Sequence, residues 1–265
     1  MHPKSRISSI IKANNLDSSV TDLPTFNLSD LKIVSDLKFE LPTNLRLGHL
    51  IERIVAKLVE SSSNFKILYE NIQIEDKKQT LGEIDFIIEE LATQQIIHLE
   101  LAYKFYLFDP SISSAHINNW IGPNRNDSLV KKLDKLKRKQ FPLLKHDSTK
   151  SALKNIEVEK ITQALCFLVS LFIPYQYKAD FNPTYTKAIK GYYLDLETFI
   201  KFDHSSKSYY LPLRKEWGIA PSGNQIWHTF DEVKEQIEII ISEKKAVLCW
   251  QKYNDTYSQF FITWW

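Results

Sequence analysis

Two carboxylates and one ammonium recur at alternating positions in two neighbouring runs, and this trio is the part of the sequence best suited to chemistry. The first run, 82–89, reads Gly82-Glu83-Ile84-Asp85-Phe86-Ile87-Ile88-Glu89; the second, 98–105, reads His98-Leu99-Glu100-Leu101-Ala102-Tyr103-Lys104-Phe105. Both alternate with a period of two, the mark of half-buried strands. Residues 92–95 leave only a short link between the runs, which implies an antiparallel pair. Parity puts Glu83 and Asp85 on the face of Ile87, with Ile84, Phe86 and Ile88 on the other. In the second run His98, Glu100, Ala102 and Lys104 share a face, and Leu99, Leu101, Tyr103 and Phe105 share its opposite. Pairing can therefore gather Asp85, Glu100 and Lys104 on one surface. Such a set suits a hard divalent cation and a phosphate. The plainer alternative is an ordinary hairpin whose charged side faces water. His98 reads as a structural histidine bonded to backbone, or as a lining of the same surface.

Two helices are positioned to serve this hairpin. Over 45–60, Leu47, Leu50, Ile51, Ile54 and Leu58 recur at helical spacing behind a start signal at Pro42, Thr43 and Asn44. Glu52 sits at the edge of that stripe, where a carboxylate either finds a partner or reaches water. Over 126–141, Asn126 or Asp127 caps a helix whose stripe is Leu129, Leu133 and Leu136. Gln140 is next on the stripe, an amide where a leucine is due. The remaining faces carry Lys131, Lys132, Lys135, Lys137, Arg138 and Lys139 against Asp127 and Asp134. That is either a solvated face or a surface that follows phosphates.

The rest of the chain supplies scaffolding. Residues 65–74 alternate as a strand, followed by a polar turn at 75–80. The stretch 108–125 is a loop in which Trp120 either anchors on the core or serves a site. Residues 145–160 read as loop or weak helix. The apolar run 162–173 reads as a buried strand, expected beside the strand that carries Glu100. Further on come strands at 191–199 and 209–213, a helix at 230–244 and a hairpin formed by 246–253 and 259–264 around Asn254-Asp255. Residues 1–41 read as an irregular lead-in with short helical turns at 8–13 and 28–34.

Composition narrows the class. The 265 residues are 43% hydrophobic and 12% aromatic, with only 6 glycines, so a sizeable core of regular structure is expected. A net charge of +2 permits a nucleic-acid partner without requiring one. Cys166 and Cys249 sit in apolar surroundings as buried thiols, with no zinc spacing. No nucleophile elbow, phosphate-cradling glycine loop or His-Glu-x-x-His occurs. Residues 1–15 lack the apolar core of a signal peptide, and the longest uncharged run, 161–177, is too short for a bilayer. A cytoplasmic protein with no membrane partner is expected.

The motif Gly82-Glu83-x-Asp85-Phe86, a short gap, then His98-x-Glu100-x-Ala102-x-Lys104-Phe105-Tyr106-Leu107 resembles domain-of-unknown-function family 1853, as does Arg46-Leu47-Gly48-x-x-x-Glu52. That family is grouped with the PD-(D/E)XK nuclease superfamily. The resemblance implies an α/β, restriction-endonuclease-like core over 42–175, with a mixed central sheet flanked by helices in αβββαβ order. A C-terminal α+β extension, 176–265, would pack on it. By the same resemblance Asp85 and Glu100 hold Mg²⁺ or Mn²⁺, Glu52 lends a third carboxylate from the first helix, Lys104 orients water and phosphate, and Gln140 positions a ligand or the phosphate. Lys131, Lys132, Lys135 and Arg138 would follow the nucleic-acid backbone. The implied function is metal-dependent hydrolysis of nucleic-acid phosphodiesters, DNA ahead of RNA. The chain departs from the superfamily at one point. Leu101, Ala102 and Tyr103 separate Glu100 from Lys104 where one residue is usual, which keeps parity but moves the lysine about 7 Å along the strand. The alternative is a non-catalytic nucleic-acid-binding or protein-interaction module that retains this fold.

Overall fold

The structure is a computed structural model that describes residues 3–34, 37, 39–42, 44–154 and 156–265. Thr43 of the expected helix start lies outside these residues. The lead-in is more regular than expected. Helix α1 (Pro3–Ile11) buries Ile7 and Ile10, one helical turn apart. The two-residue strand β1 (Asn14–Asn15) and the single turn α2 (Ser18–Thr21) follow, the latter capped by the Asp17 carboxylate accepting from Ser19 N–H at 3.0 Å.

Helix α3 (Leu47–Glu60) leads into strands β2 (Phe65–Asp76), β3 (Gln79–Glu90) and β4 (Gln95–Phe108). The polar turn expected over 75–80 shrinks to Lys77 and Lys78, with φ of 47° and 67°. Two left-handed residues make the tight hairpin that suits strand twist. The short strand β5 (Trp120–Ile121) comes next. Helix α4 (Leu129–Lys135) runs without a break into a π turn, Leu136–Gln140, and then α5 (Phe141–Leu143). The chain continues through α6 (Asp147–Ala152), β6 (Thr162–Pro174), α7 (Pro183–Ala188), β7 (Ile189–Asp195), α8 (Leu196–Ile200), β8 (Lys207–Tyr210), α9 (Phe230–Ser242), β9 (Val247–Tyr253) and β10 (Thr256–Thr263).

The chain divides into two compact units. The site unit comprises His2–Tyr103 and Lys131–Leu168, and the C-terminal unit comprises Lys104–Val130 and Val169–Trp265. Within the site unit the strand order is β2-β3-β4-β6, with β1 on β6, so the run expected beside the Glu100 strand is found there. Both β2–β3 and β3–β4 are antiparallel. One face of this sheet, Phe86, Ile88, Leu99 and Leu101, packs against Leu50, Ile51, Ile54 and Leu58 of α3 and against α1. The other face packs Ile74, Ile84 and Ile87 against Leu143, Leu144 and Leu153. Helices thus cover both faces of the sheet. Gly82 admits this packing, because a Cβ there would stand 2.6 Å from Leu143 Cδ1.

The position of Ile84 corrects the parity expected for β3: it packs with Ile87, not with Phe86 and Ile88. The register Glu70↔Phe86 and Ile72↔Ile84 leaves Asn71 across from Asp85, and Asn71 has φ of 53°. A left-handed residue in the facing strand breaks the simple alternation at that point.

The C-terminal unit is a mixed sheet. β7 runs parallel to β6 and β10, whereas β9 is antiparallel to β10 and to β8. Helix α9, started by a capping box of Thr229 and Glu232, lays Val233 and Ile237 on Tyr209, Val247 and Phe260. The strand expected over 191–199 ends at Asp195, whose carboxylate accepts from Thr198 N–H at 2.7 Å and starts α8. Trp120 is buried among Phe108, Phe181 and Tyr185, so the 108–125 loop is anchored by it. Cys166 and Cys249 are buried free thiols, as expected. Among the described residues no helix is long and apolar enough to cross a membrane.

Candidate functional site

The site is built where the β3–β4 ladder opens. Paired residues run from Glu90↔Gln95 to Phe86↔Leu99, and the register stops there. At the next step the Asp85 side chain replaces the backbone: its Oδ2 accepts the Leu101 N–H at 2.8 Å. The Asp85 N–H in turn hydrogen-bonds the Glu100 carboxylate. Each carboxylate is thus held by the backbone of the strand that carries the other.

Glu100 is wholly buried, and two side chains fix its two oxygens. His98 Nε2 stands 2.8 Å from Oε1, and Gln140 Nε2 donates to Oε2 at 2.5 Å. His98 is also wholly buried, and its other ring nitrogen, Nδ1, lies 3.1 Å from Gln163 Nε2. The same Gln163 nitrogen donates to the Phe141 carbonyl at 2.7 Å. A carbonyl only accepts, so the amide nitrogen must face it, and His98 Nδ1 must accept the second N–H. The proton of neutral His98 therefore sits on Nε2 and is donated to Glu100. Burial holds the His98 pKa down to about 4, despite the opposing pull of Asp85, so the ring is neutral at pH 7. The expected backbone-bonded histidine is instead bonded to two side chains.

The electrostatics are those of an acidic pair short of positive charge. Burial pushes Asp85 up to about 8, the neighbouring Glu100 charge pushes the same way, and Glu52 adds to it. Glu100 is raised chiefly by burial, against the lowering influence of Lys132, of the Asp85 N–H and of Lys135. The half-buried Asp85 and the buried Glu100 oppose each other's ionisation and titrate as a unit. At neutral pH such a pair retains a proton or attracts a cation.

The other expected site residues fall in four places. Gln140, the amide in the leucine register, is bonded to Glu100. Glu52 acts on Asp85 through its field, while its own carboxylate accepts from or pairs with His49 Nδ1 at 3.0 Å. Lys104 belongs to the C-terminal unit, where its ammonium donates to Asp127 Oδ2 at 2.6 Å. Of the basic helix, Arg138 is paired with Asp134 at 2.6 Å and Lys137 with Asp22 at 3.1 Å, while Lys132 Nζ donates to Gln140 Oε1 at 3.0 Å. Gln163 is a site residue that the sequence analysis does not single out. A lone amide within a buried strand was the available signal, since such a group is kept only where it is bonded.

Among the described residues no three His, Cys, Asp or Glu side chains stand together as a ligand set. The pair still fits a magnesium-type ion, which is commonly held by one or two carboxylates and completes its shell with water and substrate phosphate.

Residues 12–253 match the family described as Domain of unknown function (DUF1853). The chain belongs to this family. No curated protein and no solved structure matches it. The matched residues include the acidic pair and strands β7, β8 and β9 of the C-terminal unit, and end before β10.

Proposed function

We propose that this member of the family is a metal-dependent nuclease of the PD-(D/E)XK kind, with a restriction-endonuclease-like core, acting on DNA ahead of RNA. The observation that carries the reading is the pairing, at the opened ladder, of the wholly buried Glu100 with the half-buried Asp85. Buried carboxylates cost folding free energy, and both raised values express that cost. Sites that retain such a cost are commonly functional. A helix, three strands, a helix and a strand occur in the order α3, β2, β3, β4, α4 and β6, with the short elements β5, α5 and α6 interposed, and this supports the reading.

Asp85 and Glu100 would hold Mg²⁺ or Mn²⁺ through oxygen, and the ion would supply an acidified water and neutralise charge on the scissile phosphate. The chain's own residues do the positioning. His98 and Gln140 present the Glu100 oxygens in one orientation, and Gln163 fixes the His98 tautomer. Leu101 N–H holds the Asp85 carboxylate. Burial excludes bulk water and strengthens every charge interaction at the pair. Glu52, from α3, adds negative field that favours a cation.

One observation favours the rival reading, a nucleic-acid-binding or protein-interaction module: the motif lysine, Lys104, is engaged by Asp127. The two are separated by Mn²⁺ titration together with cleavage assays on single- and double-stranded DNA and RNA, with Glu100→Ala beside the unaltered protein. Cleavage that needs Mg²⁺ or Mn²⁺ and vanishes in the variant supports the nuclease. Absence of both metal binding and cleavage leaves the binding module.

A further inference from the structure

A π turn carries a lysine from the outer face of its helix to the acidic pair. Two turns of α-helix take about 7.2 residues, so positions eight apart on a regular helix lie about 80° around the axis from each other. The π turn Leu136–Gln140 adds a residue, so two turns take about 8.2 and Lys132 comes onto the face of Gln140. The hydrogen bonds agree: Lys132 Nζ donates to Gln140 Oε1 at 3.0 Å, and the same amide donates to Glu100 Oε2. The amide can satisfy both only in one orientation, with its oxygen toward the ammonium and its nitrogen toward the carboxylate. The ammonium is thereby fixed two hydrogen bonds from Glu100.

We propose that Lys132, set on Gln140 by the π turn, positions the phosphate of a nucleic-acid substrate at the Asp85–Glu100 site. The proposal rests on the nuclease reading for the identity of the substrate. It assigns to Lys132 the part that motif spacing gives to Lys104, whose ammonium is held by Asp127 at 2.6 Å within the C-terminal unit. Within the site unit, the charge of Lys132 acts on both carboxylates. A lysine suits this part because its ammonium is a compact charge with rotatable donors on a flexible stem.

The test compares Lys132→Met, Lys132→Arg and Lys104→Met in the full chain. Binding of end-labelled single- and double-stranded oligonucleotides is read by fluorescence anisotropy in EDTA, and cleavage is read with Mn²⁺. Lys132→Met should weaken binding at least fivefold and lower the log–log salt slope by about one. Lys132→Arg should restore part of the affinity, whereas Lys104→Met should stay within twofold of the unaltered protein. Melting temperature checks that each variant folds, and Lys132→Gln replaces any variant that does not. Lys132 variants that match the unaltered protein in affinity and slope, or a Lys104→Met loss that they do not share, would overturn the assignment. No cleavage under any condition, with a selective Lys132 loss in EDTA, removes the nuclease reading and leaves Lys132 as the residue that holds phosphate. Cleavage that survives Lys132→Met but not Lys104→Met removes the Lys132 assignment alone. An unaltered protein that neither binds oligonucleotide nor cleaves it overturns both.

Discussion

Asp85 Oδ2 lies 2.8 Å from the Leu101 N–H, and the side chain so placed makes the hydrogen bond that the next step of the β3–β4 ladder would otherwise make with backbone. The strands can therefore separate here without leaving a buried donor unpaired. The separation is what lets two carboxylates occupy ground that a continuous sheet would fill with backbone.

The first prediction concerns pH. Burial and mutual repulsion raise the pair in the fold, Asp85 to about 8, against about 4 for a carboxylate in an unfolded chain. Between those values the folded state binds the extra proton, so stability is fully present below about pH 4 and is lost as pH rises through 8. His98, lowered to about 4, works in the opposite sense but only below its unfolded value near 6.5. In the window from pH 6.5 to 8 the carboxylates act alone, and the metal-free melting temperature should fall as pH rises. Asp85→Asn keeps an oxygen for the Leu101 N–H and removes the charge conflict. It should flatten that fall, leave stability equal or higher and abolish Mn²⁺ binding. A melting temperature that is level over this window in the unaltered protein would count against a charged pair.

Gln163→Leu tests the tautomer relay. The substitution leaves the Phe141 carbonyl and His98 Nδ1 without their N–H, at a cost of about 1–3 kcal/mol for buried acceptors left unpaired. Urea melts should show a lower midpoint at unchanged slope. On the proposed nuclease function, cleavage should drop as well, because the His98 proton on Glu100 is no longer specified. Full activity with unchanged stability would show that the ring needs no such partner.

The basic helix face makes a separate prediction. Reversing Lys131, Lys135 and Arg138 to Glu together should weaken binding to all nucleic-acid sequences alike and reduce the salt slope by about one for each phosphate no longer neutralised. Arg138, paired with Asp134 on the helix surface, should contribute least of the three. Anisotropy titrations at several salt concentrations decide, and an unaltered slope would mark this face as solvated helix.

In the C-terminal unit, Gly191→Ala should be severe. A Cβ at Gly191 would meet the Gln259 backbone oxygen at 2.0 Å, where β7 lies against β10 and neither backbone can yield cheaply. A loss of about 3 kcal/mol or more is expected, at the upper end of overpacking. A melt within a degree of the parent would show that β7 and β10 can part.

Much of this was legible in residues, and the gaps have physical causes. The meander of 65–108 showed in alternation, and the buried strand at 162–173 in its apolar run, because sheet burial imposes those patterns directly. Gln140 stood out for the same reason, as a polar group in a buried register. The parity of Ile84 was not legible, since it depends on a left-handed Asn71 in the facing strand, and Asn tolerates that conformation without requiring it. Lys132 reads as one more charge on an outer face because helical spacing assumes 3.6 residues per turn throughout. The Lys104–Asp127 pair joins positions 23 apart in the chain, which no local pattern announces.

The extra residue in the helix over 136–140 also changes which genetic lesions this protein can absorb. Deleting the Arg138 codon would restore an ordinary helix, with every leucine, lysine and glutamine of the segment still present. The amide would turn away from the carboxylate although no side chain had been substituted. That deletion should thus uncouple Gln140 from Glu100 in a chain that still folds, and alignments of relatives across this helix should be tested for that one-residue gap before a glutamine is judged to be missing.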